Sequence, residues 1–133
     1  LNMKIEMDMG KNVILENGVT LWKPPAGHII DKNNKKSESD SNHQFELCFE
    51  TDDIEIVLEN LKKHSVKLVH KIRREPWGQR TVRFYDPDKN IIEIGESLAT
   101  FLRRMQNEGL DIRQIAEKTG MQASDINSVL EQE

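Results

Sequence analysis

Two charged side chains stand inside otherwise apolar strand segments near the middle of the sequence. Glu93 interrupts the run Ile91–Ile94, and because burying an unpaired carboxylate is costly, it must face water, a partner or a cleft. Arg83 alternates with Val82 and Phe84, which sends these two apolar side chains toward a packed helix and Arg83 to the open face with Glu93. There, Arg83 can either pair with Glu93 or bind an anionic substrate in a bidentate manner.

A further set of candidate ligand-binding side chains comes from one strand face and from the two tryptophans. Glu46, Cys48 and Glu50 alternate with apolar residues and therefore share a face. Cys48 has no histidine or helix terminus beside it in sequence, which disfavours a nucleophilic role. Trp77 and Trp22 could line an apolar pocket, although a tryptophan near a strand end more often packs against a loop.

These candidates belong to a strand–helix–strand–strand–strand segment that extends from Phe45 to Glu96. Alternation predicts the first strand over 45–50. Asp52 or Asp53 can cap the following helix, which ends near His64 with positive charge in its last turn. Three further strands are predicted within 66–75, 77–85 and 90–96.

This βαβββ order resembles a module of the vicinal oxygen chelate superfamily, which contains glyoxalases, extradiol dioxygenases and bleomycin-resistance proteins. The resemblance covers roughly residues 3–97, and it is carried by the segments 46–53, 76–80, 83–88 and 92–94. It implies an α+β fold in which paired βαβββ modules form a curved mixed sheet around a small-molecule cleft.

The resemblance also implies a metal site. Members that use a divalent metal take ligands from the first and last strands of each module, and the metal acts as a Lewis acid. Glu93 matches the last-strand glutamate, as a metal ligand and candidate catalytic residue, and Glu46 falls where many members carry a histidine. Carboxylate ligands suit nickel, zinc, manganese, iron or magnesium. Thr20 and Trp22 stand where the first module should supply a carboxylate, so the ligand set is incomplete and a metal-free protein is the alternative.

The first module also lacks pieces, because residues 1–30 contain no counterpart of the opening strand and helix. Alternation over Met3–Met9 and apolar segments at 13–15 and 19–22 predict three strands, with a hairpin at Asn17–Gly18. We expect that the chain is a fragment or that a partner chain supplies the equivalent elements.

Composition divides the remainder of the chain into a linker, a second module and a tail. Residues 31–43 are polar without an apolar period and predict a flexible linker. His28 and His43 flank it, and we expect both to be solvated surface residues. The complete second module spans 44–97, and residues 98–133 form a three-helix tail.

The tail has the form of a helix-turn-helix unit but lacks the charge of a DNA-binding one. Ala116, Gly120 and Ile126 have the spacing that lets two helices cross closely. Residues 98–133 carry four basic and six acidic side chains, and 123–133 contains no lysine or arginine. Because DNA affinity depends on phosphate neutralisation, this composition argues against DNA binding and favours a packing or dimer-contact role.

The overall composition sets broad limits on partners and location. The chain has 133 residues, a formal net charge of -4 and one cysteine. The charge gives no general attraction to nucleic acid or anionic membranes. A single cysteine excludes an internal disulfide framework and suits the cytoplasm. No apolar run approaches the length of a membrane span, and no secretory pattern opens the chain.

Three functions are compatible with these observations. The first is a protein that binds a small molecule in a sheet-lined cleft, as resistance members of the superfamily do. The second is a metal-dependent lyase, isomerase or dioxygenase of the glyoxalase type. The third is a ligand-sensing regulator that uses the helical tail. In each case we expect a homodimer, or a chain that is unstable alone, since a missing first strand leaves an unpaired sheet edge.

Overall fold

The structure is a computed structural model that describes residues 3–16, 18–28 and 46–132. It confirms the α+β class, with a three-stranded sheet, a four-stranded sheet and helices. The chain divides into two compact units, Leu1–Gln44 and Phe45–Glu133. The expected linker, the hairpin residue Asn17, His43 and Phe45 lie outside the described residues.

The first unit contains a small antiparallel sheet. Its strands are β1 (Ile5–Asp8), β2 (Asn12–Leu15) and β3 (Thr20–Trp22), in the order β1-β2-β3. The expectation that His28 is a solvated surface residue is wrong, because only 5% of its surface is exposed. Its ring meets the indole of Trp22 edge-on, with ring centroids 5.0 Å apart, so the imidazole is packed against an aromatic side chain rather than solvated.

The second unit is built on a four-stranded mixed sheet with the order β4-β7-β6-β5. β4 runs parallel to β7, whereas β6 is antiparallel to both β7 and β5. A parallel neighbour requires a crossover, which the helix between β4 and β5 supplies. The strands are β4 (Glu46–Thr51), β5 (Leu68–Arg74), β6 (Arg80–Tyr85) and β7 (Ile91–Glu96).

Helix α1 (Ile54–Lys63) covers one face of this sheet. The Asp53 side chain caps it by accepting a hydrogen bond from the Ile56 amide at 3.0 Å. The helix packs against β5, β6 and β7, and Ile54 and Val82 are completely buried there. Since side chains alternate across a strand, the neighbours of Val82 in β6 point to the opposite face.

Three helices follow the sheet and share an apolar core. Asp111 begins α3 with a reciprocal capping box, and Gly120 ends it with a φ of 79°, which suits glycine. No helix in the described part of the chain is long and apolar enough to cross a membrane. The helices are α2 (Leu98–Asn107), α3 (Ile112–Thr119) and α4 (Ala123–Glu131), and their buried apolar residues include Phe101, Leu102, Met105, Ile115 and Ile126.

A buried carboxylate connects helix α2 to the sheet. Glu96, at the end of β7, accepts hydrogen bonds from Arg104 Nε at 2.9 Å and Arg104 Nη2 at 2.8 Å. It also accepts from the backbone amide of Arg80 at 2.9 Å and from Arg80 Nε at 2.7 Å. Arg104 Nη2 donates as well to the carbonyl of Gly78 at 2.7 Å. The first tail helix is thus fixed to β6, β7 and the β5–β6 turn.

Candidate functional site

Strand register brings three chemically active side chains into one row across the sheet. Cys48 of β4 is paired with Glu93 of β7, and Glu93 is paired with Arg83 of β6. Registered neighbours point to the same side of a sheet, and Val82, next to Arg83, points toward α1. The row therefore lies on the sheet face opposite α1, as the alternation predicted for Arg83 and Glu93.

The guanidinium of Arg83 is surrounded by carboxylates. Nε donates to Glu46 Oε2 at 3.0 Å, and Nη1 donates to Glu75 Oε1 at 2.7 Å. Nη2 forms an ion pair with Glu93 Oε2, although the two groups are not aligned as a hydrogen bond. We call Arg83, Glu46, Glu75 and Glu93 the Arg83 cluster. Of the two roles predicted for Arg83, the structure has the ion pair.

Burial differs between the members of this cluster. The side chains of Arg83 and Glu75 are 1% and 0% exposed, whereas those of Glu46 and Glu93 are each 12% exposed. A molecule arriving at the sheet face can therefore reach Glu46 and Glu93 first. Arg83 and Glu75 form the buried part of the cluster.

Glu75 is a member that the sequence analysis missed. It follows β5, in a turn closed by hydrogen bonds from the Glu75 amide to the Gln79 carbonyl and from the Gly78 amide to the Glu75 carbonyl, each 2.8 Å. Its carboxylate also accepts from the Thr81 hydroxyl at 2.8 Å and lies 3.5 Å from Arg73 Nη2. Glu75 thereby fixes the buried side of the Arg83 guanidinium.

His70 of β5 adds a neutral neighbour to the cluster. Its Nδ1 lies 2.6 Å from the carbonyl of Lys71, and because a carbonyl only accepts, Nδ1 carries the proton. Nε2 is then free to accept from Arg83 Nη1, 3.4 Å away. Burial, followed by the nearby charges of Arg83 and Arg73, lowers the pKa of His70 below its ordinary value of 6.5.

Cys48 is present at the cluster as a thiol. Partial burial of its sulfur, followed by repulsion from Glu46, raises its pKa from 9.0 to about 11, and Arg83 offsets only part of this. The residue retains exposed surface, so the raised pKa, rather than a lack of access, should limit its reactivity at neutral pH.

The residues implied as metal ligands are close together but are already engaged. Ligand atoms of Glu46, Cys48 and Glu93 all lie within 4.8 Å of one another, close enough to hold a metal ion. Both carboxylates, however, already contact the Arg83 guanidinium. Cys48 would coordinate a metal as the thiolate, and its raised pKa favours the protonated thiol. In this arrangement the three side chains do not fit a metal.

The two tryptophans belong to different units of the chain. Trp77 donates from Nε1 to Gln79 Oε1 at 3.1 Å, and Gln79 donates to the Glu96 carbonyl at 2.8 Å. This connects Trp77 with the Glu96 end of β7. Trp22 belongs to the first unit, where it packs against His28. Ligand contact by either tryptophan stays a prediction.

Comparison with known proteins identifies relatives. The family model of the glyoxalase-like domain matches residues 1–99. The uncharacterized protein YraH of Bacillus subtilis (strain 168) is 30% identical over 90 residues, which are 64% of this chain and 70% of YraH.

Solved structures with related sequences include a protein of unknown function from Agrobacterium tumefaciens str. C58. It is 33% identical, covers 72% of this chain and 75% of its own, and superposes with a TM-score of 0.39. A member of the glyoxalase/bleomycin resistance protein/dioxygenase superfamily from Sphaerobacter thermophilus DSM 20745 is 31% identical over 38% of this chain and 41% of its own, with a TM-score of 0.37. On the strength of the sequence matches, this chain belongs to the glyoxalase-like domain family of the vicinal oxygen chelate superfamily.

Proposed function

We propose that this protein binds a small molecule on the sheet face that carries the Arg83 cluster. The observation that supports this is the convergence of three carboxylates on one buried guanidinium. Buried ion pairs rarely stabilise a protein more than well-packed apolar side chains of the same volume, so stability alone gives little reason to retain them. Polar groups that converge where a ligand can reach them are more typical of binding sites.

The charge of the cluster favours a ligand that donates hydrogen bonds or carries positive charge. Among the described residues, Glu46, Glu75 and Glu93 contribute three formal negative charges, and Arg83 and Arg73 contribute two positive charges. Each guanidinium nitrogen of Arg83 already contacts a carboxylate. An anionic ligand would have to displace one of them, whereas an amine can approach Glu46 and Glu93 from the exposed side. We therefore propose a small organic amine as the ligand class.

A thermal-shift comparison of matched amines and acids tests this proposal. Phenethylamine and 3-phenylpropionate have similar size and opposite charge. A ligand at 100 times its Kd stabilises the folded state by about 2.7 kcal/mol, which raises Tm by roughly 10 °C in a chain of this size. We expect stabilisation by amines in such a series and not by the corresponding acids.

Two variants distinguish the proposed site from general charge attraction. Glu46→Gln removes a carboxylate of the cluster. It should weaken the affinity for the amine about tenfold or more, and so reduce the rise in Tm at a given amine concentration. Glu59→Gln removes an exposed carboxylate of α1, on the other side of the sheet, and should leave the effect unchanged. The proposal fails if no amine stabilises the protein, or if both variants respond like the wild type.

A metal-dependent lyase or dioxygenase is the second candidate. The short distances among Glu46, Cys48 and Glu93 favour it. Such an enzyme needs a metal with an open coordination position. It therefore depends on whether the Arg83 guanidinium can leave the two carboxylates.

A further inference from the structure

The Arg83 guanidinium lies in a notable place in the module. It lies between Glu46 of the first strand of the module and Glu93 of the last strand, the two carboxylates that the family resemblance implies as metal ligands. A cation is thus already present between these ligands, and it is part of the protein chain.

We propose that the Arg83 guanidinium replaces the divalent metal of this module as a permanent internal cation, and that it excludes metal from Glu46, Cys48 and Glu93. Both groups are positively charged and bridge the same two strands. The guanidinium differs in having no vacant coordination position, because its nitrogens are used by Glu46, Glu75 and Glu93.

Contacts of the buried nitrogen Nη1 keep Arg83 in this position. Nη1 contacts Glu75 at 2.7 Å, Thr81 Oγ1 at 3.4 Å and His70 Nε2 at 3.4 Å. If Arg83 turned away to admit a metal, the carboxylate of Glu75 would lose its closest cation while remaining completely buried. Removing one partner of a buried ion pair is strongly destabilising, so the closed arrangement is favoured.

A metal that entered without displacing Arg83 would meet strong repulsion. Its two positive charges would lie within contact distance of carboxylates that already touch the guanidinium. Like charges a few ångströms apart in a partly buried site repel each other much more strongly than in water. The inference concerns the chain alone, so it can stand even if amine binding is not observed.

Cobalt titration of the chelator-treated full chain tests the inference. Cobalt(II) bound to carboxylates and a thiolate gives visible d–d bands and a sulfur-to-metal charge-transfer band, which do not depend on activity. We expect neither band with the wild type. Arg83→Met removes the charge but keeps an unbranched side chain, and should bind cobalt at least about 100-fold more tightly than the wild type.

Two control variants separate the charge of Arg83 from other effects. Arg83→Lys keeps a cation at the site, so we expect no cobalt bands. Arg80→Met removes an arginine that contacts Glu96 and Glu55 instead, and it should also give none. Stoichiometric cobalt in the wild type, or equal binding by Arg83→Lys and Arg83→Met, would overturn the inference.

Arg83→Met leaves Glu75 buried without its closest cation, and this variant needs a safeguard against misfolding. The double variant Arg83→Met/Glu75→Gln removes that charge and leaves Glu46, Cys48 and Glu93 unchanged. Cobalt bands in the double variant, or refolding of either variant by cobalt, support the inference. A folded double variant without bands contradicts it, as does failure of both variants to fold even with cobalt, since a metal would then be unable to replace the guanidinium.

Discussion

The attachment of the tail to the sheet can be tested by removing the guanidinium of Arg104. Its side chain is 16% exposed and donates to Glu96, which is 1% exposed, to the Gly78 carbonyl and to Glu108. Arg104→Met keeps most of the apolar stem and removes all of these donors. The variant therefore measures what the ion pair contributes to the second unit.

The expected loss in the free energy of unfolding depends on the hydrogen bonds that Glu96 keeps in the variant. Removing one partner of a buried ion pair costs about 3–5 kcal/mol. Glu96 keeps the backbone amide and the side chain of Arg80, so we expect a loss near the lower limit, about 3 kcal/mol. Arg103→Met is the matched control. That exposed side chain on the same helix donates to the Gln132 carbonyl at 3.3 Å, and its loss should cost under about 0.5 kcal/mol.

Urea unfolding followed by Trp77 fluorescence measures this difference. A Trp22→Phe background removes the signal of the first unit. With an m value of about 2 kcal/mol/M, Arg104→Met should lower the midpoint by about 1.5 M. In the double variant with Glu96→Gln, the loss should be smaller than the sum of the single losses, because the two groups interact directly. A midpoint equal to that of Arg103→Met would refute the reasoning.

The same ion pair determines an acid dependence of stability. Burial of Glu96 raises its pKa, but hydrogen bonds from Arg104 and Arg80 outweigh this effect and hold the pKa below the ordinary value of 4.5. A folded-state pKa below the unfolded value gives stability that is present above pH 4.5 and is lost as the pH falls through the folded pKa. The advantage of the wild type over Glu96→Gln should therefore be constant near pH 7 and shrink below pH 4.5.

Three further predictions concern the β4 edge and the site. Because its pKa is about 11 rather than 9.0, Cys48 should react with iodoacetamide about 100-fold more slowly at pH 7 than an ordinary thiol, and Glu46→Gln should shift the rate profile to lower pH. The His70 ring should titrate below 6.5 by NMR, and a midpoint above that value would contradict the burial of the ring beside Arg83. We also propose a homodimer through the outer strand β4, where Phe49 is 54% exposed. Light scattering should show a dimer that Phe49→Lys dissociates, and a monomeric wild type would refute it.

The sequence predicted the parts of the site that depend on a single strand or cap. Side chains alternate strictly along β6 and β7, so Arg83 and Glu93 could be placed on one face from their positions relative to Val82 and Ile92. Local capping rules also limited the start of α1 to Asp52 or Asp53, and Asp53 is the cap. These features depend on residues that are close together in the sequence, so a local sequence pattern is enough to predict them.

Sequence reasoning missed the groups whose position depends on irregular backbone. β5 changes register between Leu68 and His70 and again between His70 and Arg73, so alternation no longer predicts which side chains face the cluster. Glu75 lies in the turn beyond these irregularities. In the turn after β6, Lys89 adopts the left-handed conformation with a φ of 70°, although asparagine generally tolerates this conformation better than lysine. Asn90 is instead held by the Asp86 carboxylate, to which its amide donates at 2.7 Å.

In the part of the chain that the structure describes, the second unit contains two ion-pair networks, one around Glu96 and one around Arg83. Their charge balance distinguishes a structural role from a binding role. The network around Glu96 alternates in sign and is neutral, so it needs no further partner. Among the described residues around Arg83, three carboxylates face two arginines, and the surplus negative charge lies beside the partly exposed Glu46 and Glu93. An unbalanced cluster costs stability unless something compensates for it, which is why we place the ligand there. The neutral network consists of Arg74, Glu108, Arg104, Glu96, Arg80 and Glu55, in order of contact.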